Sequence, residues 1–364
     1  MARNDNLVAK ATKVIVVRVN GGRKIGMGHV YRTITIVNTL KDKYEFAVEF
    51  IINDDDAVRK VLDFFSYVYS VLPDISNSSE ELANILGRFD RFQSGVCLLD
   101  TQDDLSDEIE IFNKYNFAVI LLLNKTRARL ISAMNIYPLA HFDYLSLDWA
   151  NYGGKVVGGG EYIPLTEPFL VQRETLRPIA ARQYILVTMG GTDPNRLTIK
   201  IMDSLKEFAS IVPIRVVLGH AFAFREDVHR LNEACHGRFE LLENVDNMHE
   251  LMAEAGLAIT AIGITIYELG FLGVPAVLLS NYEHDSADEV ELEKLGNVVS
   301  LGFFKHVSGN DILQAVESLW LDKTRRSRMS DFAFNITDGH GAERICKEIV
   351  SLRTAHGDDL FRLS

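Results

Sequence analysis

Cysteine is scarce in this sequence: Cys97, Cys235 and Cys346 are the only three in 364 residues, scattered and without a C-x-x-C pair. That excludes a disulfide framework and a cysteine-built zinc site, and it fits a reducing compartment. No apolar run approaches the roughly 18 residues that a membrane span requires. The polar stretch from Met1 to Lys10 does not read as a secretory signal, so a cytoplasmic location is expected. Positive charge is in the minority, with 38 Lys and Arg against 50 Asp and Glu and a net charge of -12. This argues against a nucleic-acid partner and means that any phosphate site must be built locally. No G-x-x-x-x-G-K-[ST] occurs, which excludes a P-loop NTPase. Gly26-x-Gly28 starts like the dinucleotide fingerprint G-x-G-x-x-G, but Tyr31 stands where the third glycine belongs, so a nicotinamide dehydrogenase is not expected.

What is present is globular. An apolar fraction of 47% with 24% charged residues, over this length, predicts two domains with a core each. In the first half, apolar runs at 14–19, 47–52, 95–99 and 118–123 read as strands, with a further strand at 144–147. They alternate with helical stretches at 30–40 and 58–65, which implies a parallel sheet covered on both faces. Ligands of such sheets bind beyond the carboxyl ends of the strands, a rule that puts His29, Asp100 and Asn124 on one rim. After a glycine-rich break at 151–160, the stretch Glu161 to Arg182, with three prolines, reads as the crossing to a second half that repeats the pattern. Its strands are expected at 184–189, 214–218, 239–242, 257–260 and 275–279, with a last strand and helix within 298–320 and a closing helix over 341–352. Two α/β halves with a cleft between them are the expected architecture: an N-terminal domain over 13–165, a C-terminal domain over 183–337, and a helix and tail over 338–364.

Several turns carry candidate chemistry. Gly190, Gly191, Thr192, Asp193 and Pro194 follow the 184–189 strand directly, and Thr or Asp before Pro reads as the cap of a helix starting near Asn195. Two glycines let a ligand come close to the backbone, and free amides at a helix start attract a phosphate or diphosphate. Gly26, Gly28 and the turn Ile262-Gly263-Ile264-Thr265 offer two more such sites. His29 sits where a glycine loop meets a helix, so it is a candidate general base or a merely packed histidine. Arg32, one turn on, is a phosphate or sugar clamp or a solvated arginine, and Asp100 is a rim residue or a helix cap. Thr265-x-x-Glu268 has the text of a capping box, in which Glu268 bonds back to its own helix. Asp54 to Asp56 contains the D-x-D spacing with which some sugar transferases hold a divalent metal, and equally the composition of a solvated turn. The basic run Lys323, Arg325, Arg326 and Arg328 reads as a solvated helix face, with membrane contact the lesser alternative.

Taken together, Gly26-Met-Gly-His29-Val-Tyr-Arg32, Gly190-Gly-Thr-Asp193, Asn244-Val-Asp-Asn-Met248, Gly263-Ile-Thr265-Ile-Tyr-Glu268 with Gly273-Val-Pro275, and Asp338-Gly-His-Gly-Ala-Glu-Arg344 form an ordered set. The set resembles the UDP-sugar hydrolase of pseudaminic acid biosynthesis and its spore-coat-polysaccharide relatives, which are similar to the glycosyltransferase that makes lipid II. It runs over about 13–350. The resemblance implies a GT-B fold of two Rossmann-like domains facing across a cleft, with a UDP-sugar as substrate and no metal or other cofactor. It also implies uracil and ribose near Glu268, and diphosphate at Gly190 to Thr192 and Gly263 to Thr265. The sugar would lie against the first domain, where His29 activates water or an acceptor hydroxyl. Two departures fall where nucleotide and sugar contacts are expected: Glu283 and His284 replace the family's Asn-Gln pair, and no arginine stands near Leu165-Thr166-Glu167. The alternatives are a non-catalytic nucleotide-sugar-binding module and a metal-dependent glycosyltransferase that uses Asp54 to Asp56.

Overall fold

The computed structural model describes residues 13–22, 25–72, 78–89, 95–101, 103–219, 222–243 and 245–352. Arg23 and Lys24 of the first glycine loop and Asn244 of the third motif lie outside the described residues.

The first lobe runs β1 (Val14–Val19), α1 (Gly28–Tyr44), β2 (Ala47–Ile52), α2 (Asp56–Phe64), β3 (Val68–Val71), α3 (Ser78–Leu86), β4 (Gly95–Asp100), α4 (Ser106–Lys114), β5 (Phe117–Leu122), β6 (Met134–Tyr137) and β7 (Lys155–Gly158). All strand pairs are parallel, in the order β3-β2-β1-β4-β5-β6-β7. Every residue of β1 and β4 is buried, as expected for central strands covered on both faces.

After α5 (Glu167–Arg173) the second lobe runs β8 (Tyr184–Thr188), α6 (Leu197–Leu205), β9 (Ile214–Leu218), α7 (Arg225–Ala234), β10 (Phe239–Glu243), α8 (Met248–Glu254) and β11 (Ala255–Thr260). It continues with α9 (Thr265–Phe271), β12 (Ala276–Ser280), α10 (Ser286–Lys294), β13 (Val298–Phe303), α11 (Gly309–Leu321), α12 (Lys323–Ala333) and α13 (Gly341–Val350). Its sheet is also parallel, in the order β10-β9-β8-β11-β12-β13. Each lobe therefore reverses direction beside its first strand, between β1 and β4 and between β8 and β11. Those two crevices are where parallel sheets of this kind receive ligands.

Three expectations are corrected. The strand expected at 144–147 is a single turn, Tyr144–Ser146, because Asp143 takes the amide of Leu145 with its side chain (3.2 Å) and leaves Leu145 68% exposed. The strands of that region are β6 and β7, the second hidden in the glycine-rich stretch. The helix expected from Asn195 starts at Leu197. The basic run forms α12, but it is not a fully solvated face: Arg326 is buried, donates to the Leu319 carbonyl (2.9 Å) and lies over the Trp320 ring.

The closing helix α13 belongs to the core of the first lobe. Its Ile345, Cys346 and Ile349 are fully buried among residues of β1, β2 and α1. A Cβ on Gly341 would sit 2.2 Å from the Ile163 carbonyl oxygen, so only glycine allows this close docking. No helix of the described residues is long and apolar enough to cross a membrane.

Candidate active site

The first glycine loop leaves β1 and closes on itself, with Gly22 and Gly26 exchanging backbone hydrogen bonds (3.1 and 2.8 Å). The side chain of Asn53, beyond β2, takes both backbone groups of Gly21 at 2.9 Å. Gly26 has φ +90°, a conformation that favours glycine, and Gly28 faces open space at the start of α1. The start of α1 has no capping side chain and no acidic residue in its first turn.

This anchored loop delivers His29 to the end of β4. Its Nδ1 lies 2.7 Å from Asp100 Oδ1, and Arg32 bonds the same carboxylate through Nε (2.9 Å to Oδ2) and Nη2 (2.7 Å to Oδ1). Arg32 Nη2 also lies 3.1 Å from Nδ1, but a bare nitrogen lone pair at 2.7 Å from a carboxylate oxygen would be repelled, so the shorter contact assigns Nδ1–H as donor. Nε2 of the neutral ring is then the lone-pair nitrogen, and no described residue bonds it. Asp100 is fully buried, and burial alone would raise its pKa. The charges and hydrogen bonds of Arg32 and His29 outweigh that and hold the carboxyl below the usual range.

Asp100 lines the cavity described below, and both of its oxygens and the guanidinium of Arg32 are engaged with each other, with His29 on the same carboxylate. Asn124, expected on the rim, is buried, and its amide holds the Thr101 and Asp103 carbonyls (3.2 and 3.0 Å), shaping the loop beyond β4.

The second lobe supplies two turns at its own reversal point. Gly190 has φ +81° and Gly191 comes close enough to the first lobe that an added Cβ would meet Met27 Cβ at 3.3 Å. Asp193 is not a simple cap beside a proline. Its buried carboxylate takes the amides of Leu197 and Thr198, each at 2.8 Å, so the first amides of α6 are already occupied by an internal anion. Burial raises the Asp193 pKa. What remains for a ligand are the amides of Gly191 and Thr192, which donate to no acceptor among the described residues.

Beyond β11, Gly263 faces open space and α9 begins at Thr265, with Ile264 in the cap position and no side-chain cap bond. The capping box is therefore not formed. The Glu268 side chain has no cationic partner among the described residues, and burial pushes its carboxyl up to about 7, against a smaller opposing hydrogen bond from Thr265. The acidic triplet is committed elsewhere. Asp55 caps α2 through the Ala57 amide (2.8 Å), Asp54 pairs with Arg59, and no cluster of metal-ligating side chains exists among the described residues.

A cavity of about 470 Å³ joins the lobes. Asn20, Ile25, His29, Asp100, Thr101 and Asp103 line it from the first lobe; Ile262, Asn281, Tyr282, His284 and Asp285 line it from the second, whereas Gly190 to Thr192, Gly263, Thr265 and Glu268 lie outside its lining. Of Glu283 and His284, the histidine reaches this cavity and Glu283 does not, being an exposed residue of the same turn. Tyr282, Asp285 and Asp103, which the sequence reading did not assign to the site, do line it. The available signal was position alone: Asp103 follows the carboxyl end of β4, at the reversal point, and Tyr282 and Asp285 follow that of β12, the next strand after β11. Asn195 holds the 281–285 loop in place by bonding the Asn281 carbonyl and side chain (3.2 and 3.1 Å).

Comparison with known proteins fits this geometry. No family model matches the chain. Among sequence relatives, an uncharacterized protein of Methanocaldococcus jannaschii is 28% identical over 288 residues, covering 74% of this chain and 56% of the relative. The chain thus spans little more than half the length of that relative. The spore coat polysaccharide biosynthesis protein SpsG of Bacillus subtilis is 23% identical over 329 residues, covering 90% of this chain and 94% of SpsG. Among solved structures, MurG of Acinetobacter baumannii superposes with a TM-score of 0.65 at 13% identity, over 93% of this chain and 99% of MurG. The chain has the GT-B fold. MnaA of S. aureus, solved with UDP, gives 0.63 at 13% identity over 93% and 96% of the two chains. HepE of Anabaena, solved with UDP-glucose, gives 0.59 at 14% identity over 93% and 99%.

Proposed function

We propose that this protein cleaves a UDP-sugar and passes the glycosyl group to water or to an acceptor hydroxyl, in the making of a surface polysaccharide or a nonulosonic-acid-type sugar. The observation that carries the reading is a histidine, bonded to a buried carboxylate, that opens on a cavity between the lobes, with the Gly190–Thr192 turn of the second lobe packed against Met27 two residues before it. The name of SpsG and the nucleotide complexes of MnaA and HepE support the pathway and the substrate class.

In this mechanism, His29 Nε2 takes the proton of the attacking hydroxyl as its oxygen bonds to the anomeric carbon. The bond from that carbon to the diphosphate oxygen breaks, and its electron pair leaves with UDP. As the proton arrives, Asp100 stabilises the imidazolium through Nδ1–H, and Arg32 keeps Asp100 ionised. Charge growing on the leaving diphosphate meets the amides of Gly191 and Thr192 and those around Gly263 and Thr265. Glu268, ionised once ribose hydroxyls donate to it, holds the nucleoside.

A thermal-shift screen with UDP, CDP and GDP tests the binding half, because a ligand of the native state raises the melting point. UDP is expected to give the largest shift, and the absence of any shift would remove the proposal. UDP release from a panel of UDP-sugars tests the chemical half. Binding of UDP without release from any sugar nucleotide would make the protein a binding module.

A further inference from the structure

β1 lies inside the first sheet, between β2 and β4, and carries one charged residue, Arg18, which is 6% exposed. Its Nε donates to Glu108 Oε2 on α4 at 3.2 Å, and its Nη1 donates to Asn20 Oδ1 just beyond the strand. A buried guanidinium loses hydration that its ion pair only partly restores, and apolar side chains of similar volume in the place of such a pair are often neutral or stabilising. Stability of the lobe therefore does not explain Arg18 and Glu108. The cleavage proposed above uses neither of them.

Their effect is exerted at Asn20. A guanidinium can only donate, so the amide atom that faces Arg18 is the oxygen, and the NH2 is turned away from it. No described residue accepts a hydrogen bond from that NH2. Asn20 lines the cavity together with His29 and Asp100. It follows Val19, which pairs with Asp100 across β1 and β4, so it stands at the same strand ends as the carboxylate that bonds His29. The backbone there is fixed as well: Asn53 holds both backbone groups of Gly21, the next residue, at 2.9 Å, and a Cβ on Gly21 would lie 2.7 Å from Val30. A donor held on such a support recognises an oxygen acceptor, such as a hydroxyl or acylamino oxygen of a glycosyl group.

Resting on the UDP-sugar reading above, we infer that Asn20 donates from its NH2 to an oxygen of the glycosyl group, and that Arg18 and Glu108 are positioning residues that act through it. Arg18 holds the amide in the one orientation that offers a donor to the cavity, and Glu108 holds Arg18. Reversing the amide would set its NH2 against the guanidinium, so the donor is not exchanged for an acceptor.

The test is calorimetric binding of UDP, UDP-glucose and UDP-N-acetylglucosamine to the full chain, to Asn20→Ala, to Asn20→Asp, to the pair Arg18→Met with Glu108→Leu, and to that pair combined with Asn20→Ala. Asn20→Asp still accepts from Arg18 but has no donor. Both Asn20 variants should therefore bind the better sugar nucleotide about tenfold less tightly and bind UDP as before. The Arg18→Met, Glu108→Leu pair should keep or raise the melting temperature and weaken the sugar nucleotide by a similar factor. Added to Asn20→Ala, it should weaken it no further. Additive losses, full sugar-nucleotide affinity in the pair, or a pair that does not fold would overturn the positioning role. Wild-type affinity in either Asn20 variant, or an equal loss of UDP and UDP-sugar affinity, would overturn the donor while the UDP-sugar reading stands. A wild type that binds UDP but neither sugar nucleotide would overturn it too, and one that fails to bind UDP would remove both.

Discussion

At the scale of single residues, the proposed mechanism places the chemistry on the cluster His29–Asp100–Arg32, whose members are not interchangeable. His29→Ala is expected to lower UDP release about 10²- to 10⁴-fold with little change in UDP affinity; an unchanged rate would end the assignment. Asp100→Asn removes the acceptor that fixes the ring and leaves the Arg32 cation, 10% exposed, without its counter-charge. Turnover should fall by a comparable factor, and stability by about 3–5 kcal/mol. The pH dependence follows from the lowered Asp100 pKa. A depressed folded pKa contributes stability above the unfolded value that is lost only as pH falls through the folded value. In acid denaturation, the gap between wild type and Asp100→Asn should therefore persist below the ordinary aspartate range. Glu268 has the opposite sign. Its carboxyl titrates at about 7 when folded and near 4.5 otherwise, so stability falls as pH rises across that window. Glu268→Gln should melt higher than wild type above about pH 7, match it below about pH 4, and bind UDP more weakly. A melting curve with no such crossover would show that the group is not held protonated.

At the scale of elements, glycine positions decide how the pieces meet. Gly191 lets the turn after β8 approach Met27, and a Cβ there would be tight at 3.3 Å rather than forbidden. Gly191→Ala is expected to fold and to bind UDP more weakly, because the turn must shift by a few tenths of an ångström along with its amides. Gly341→Ala is a harsher change, with backbone 2.2 Å away. It should loosen α13 from the first lobe and lower the melting temperature by several degrees, which calorimetry would register. Asp55→Ala should cost about 1 kcal/mol by uncapping α2. It should leave activity in chelator as it was, whereas a metal site at the acidic triplet would make activity chelator-sensitive.

At the scale of the whole molecule, the two lobes touch at more than the cavity. His141, from the loop after β6, bonds the Tyr267 hydroxyl at the start of α9 and lies 3.8 Å from Asp288 on α10. Burial lowers the His141 pKa, and Asp288 acts against that. This contact ties the element that carries Glu268 to the lobe that carries His29. Tyr267→Phe should widen the distribution of lobe separations seen by solution scattering and shrink the compaction produced by UDP; unchanged profiles would show that the contact is incidental. Helix α13 makes the chain cross back to the first lobe. Removing 338–364 should therefore destabilise the first lobe, although the deleted segment follows the second.

The order of strands and helices was legible in the residues because parallel strands buried on both faces need continuous apolar runs, and the glycine turns that end them have few other uses. Thus β1, β4, β8 and β11, with His29, Gly190 and Gly263 just beyond them, follow from local pattern alone. Short edge elements did not, since β7 lies in a glycine-rich stretch and 144–147 has a strand's composition but a turn's capping. Pairing is a different matter. That Asp100 and Arg32 meet at His29, that Asp193 fills the helix start expected to bind phosphate, and that Tyr282 and His284 stack beside the cavity all depend on groups distant along the chain or on side-chain geometry. Charge and hydrogen-bond partners are chosen by proximity in three dimensions: the pairing of β1 with β4 sets it for His29 and Asp100, and the conformation of each turn sets it for Asp193 and for Tyr282 and His284.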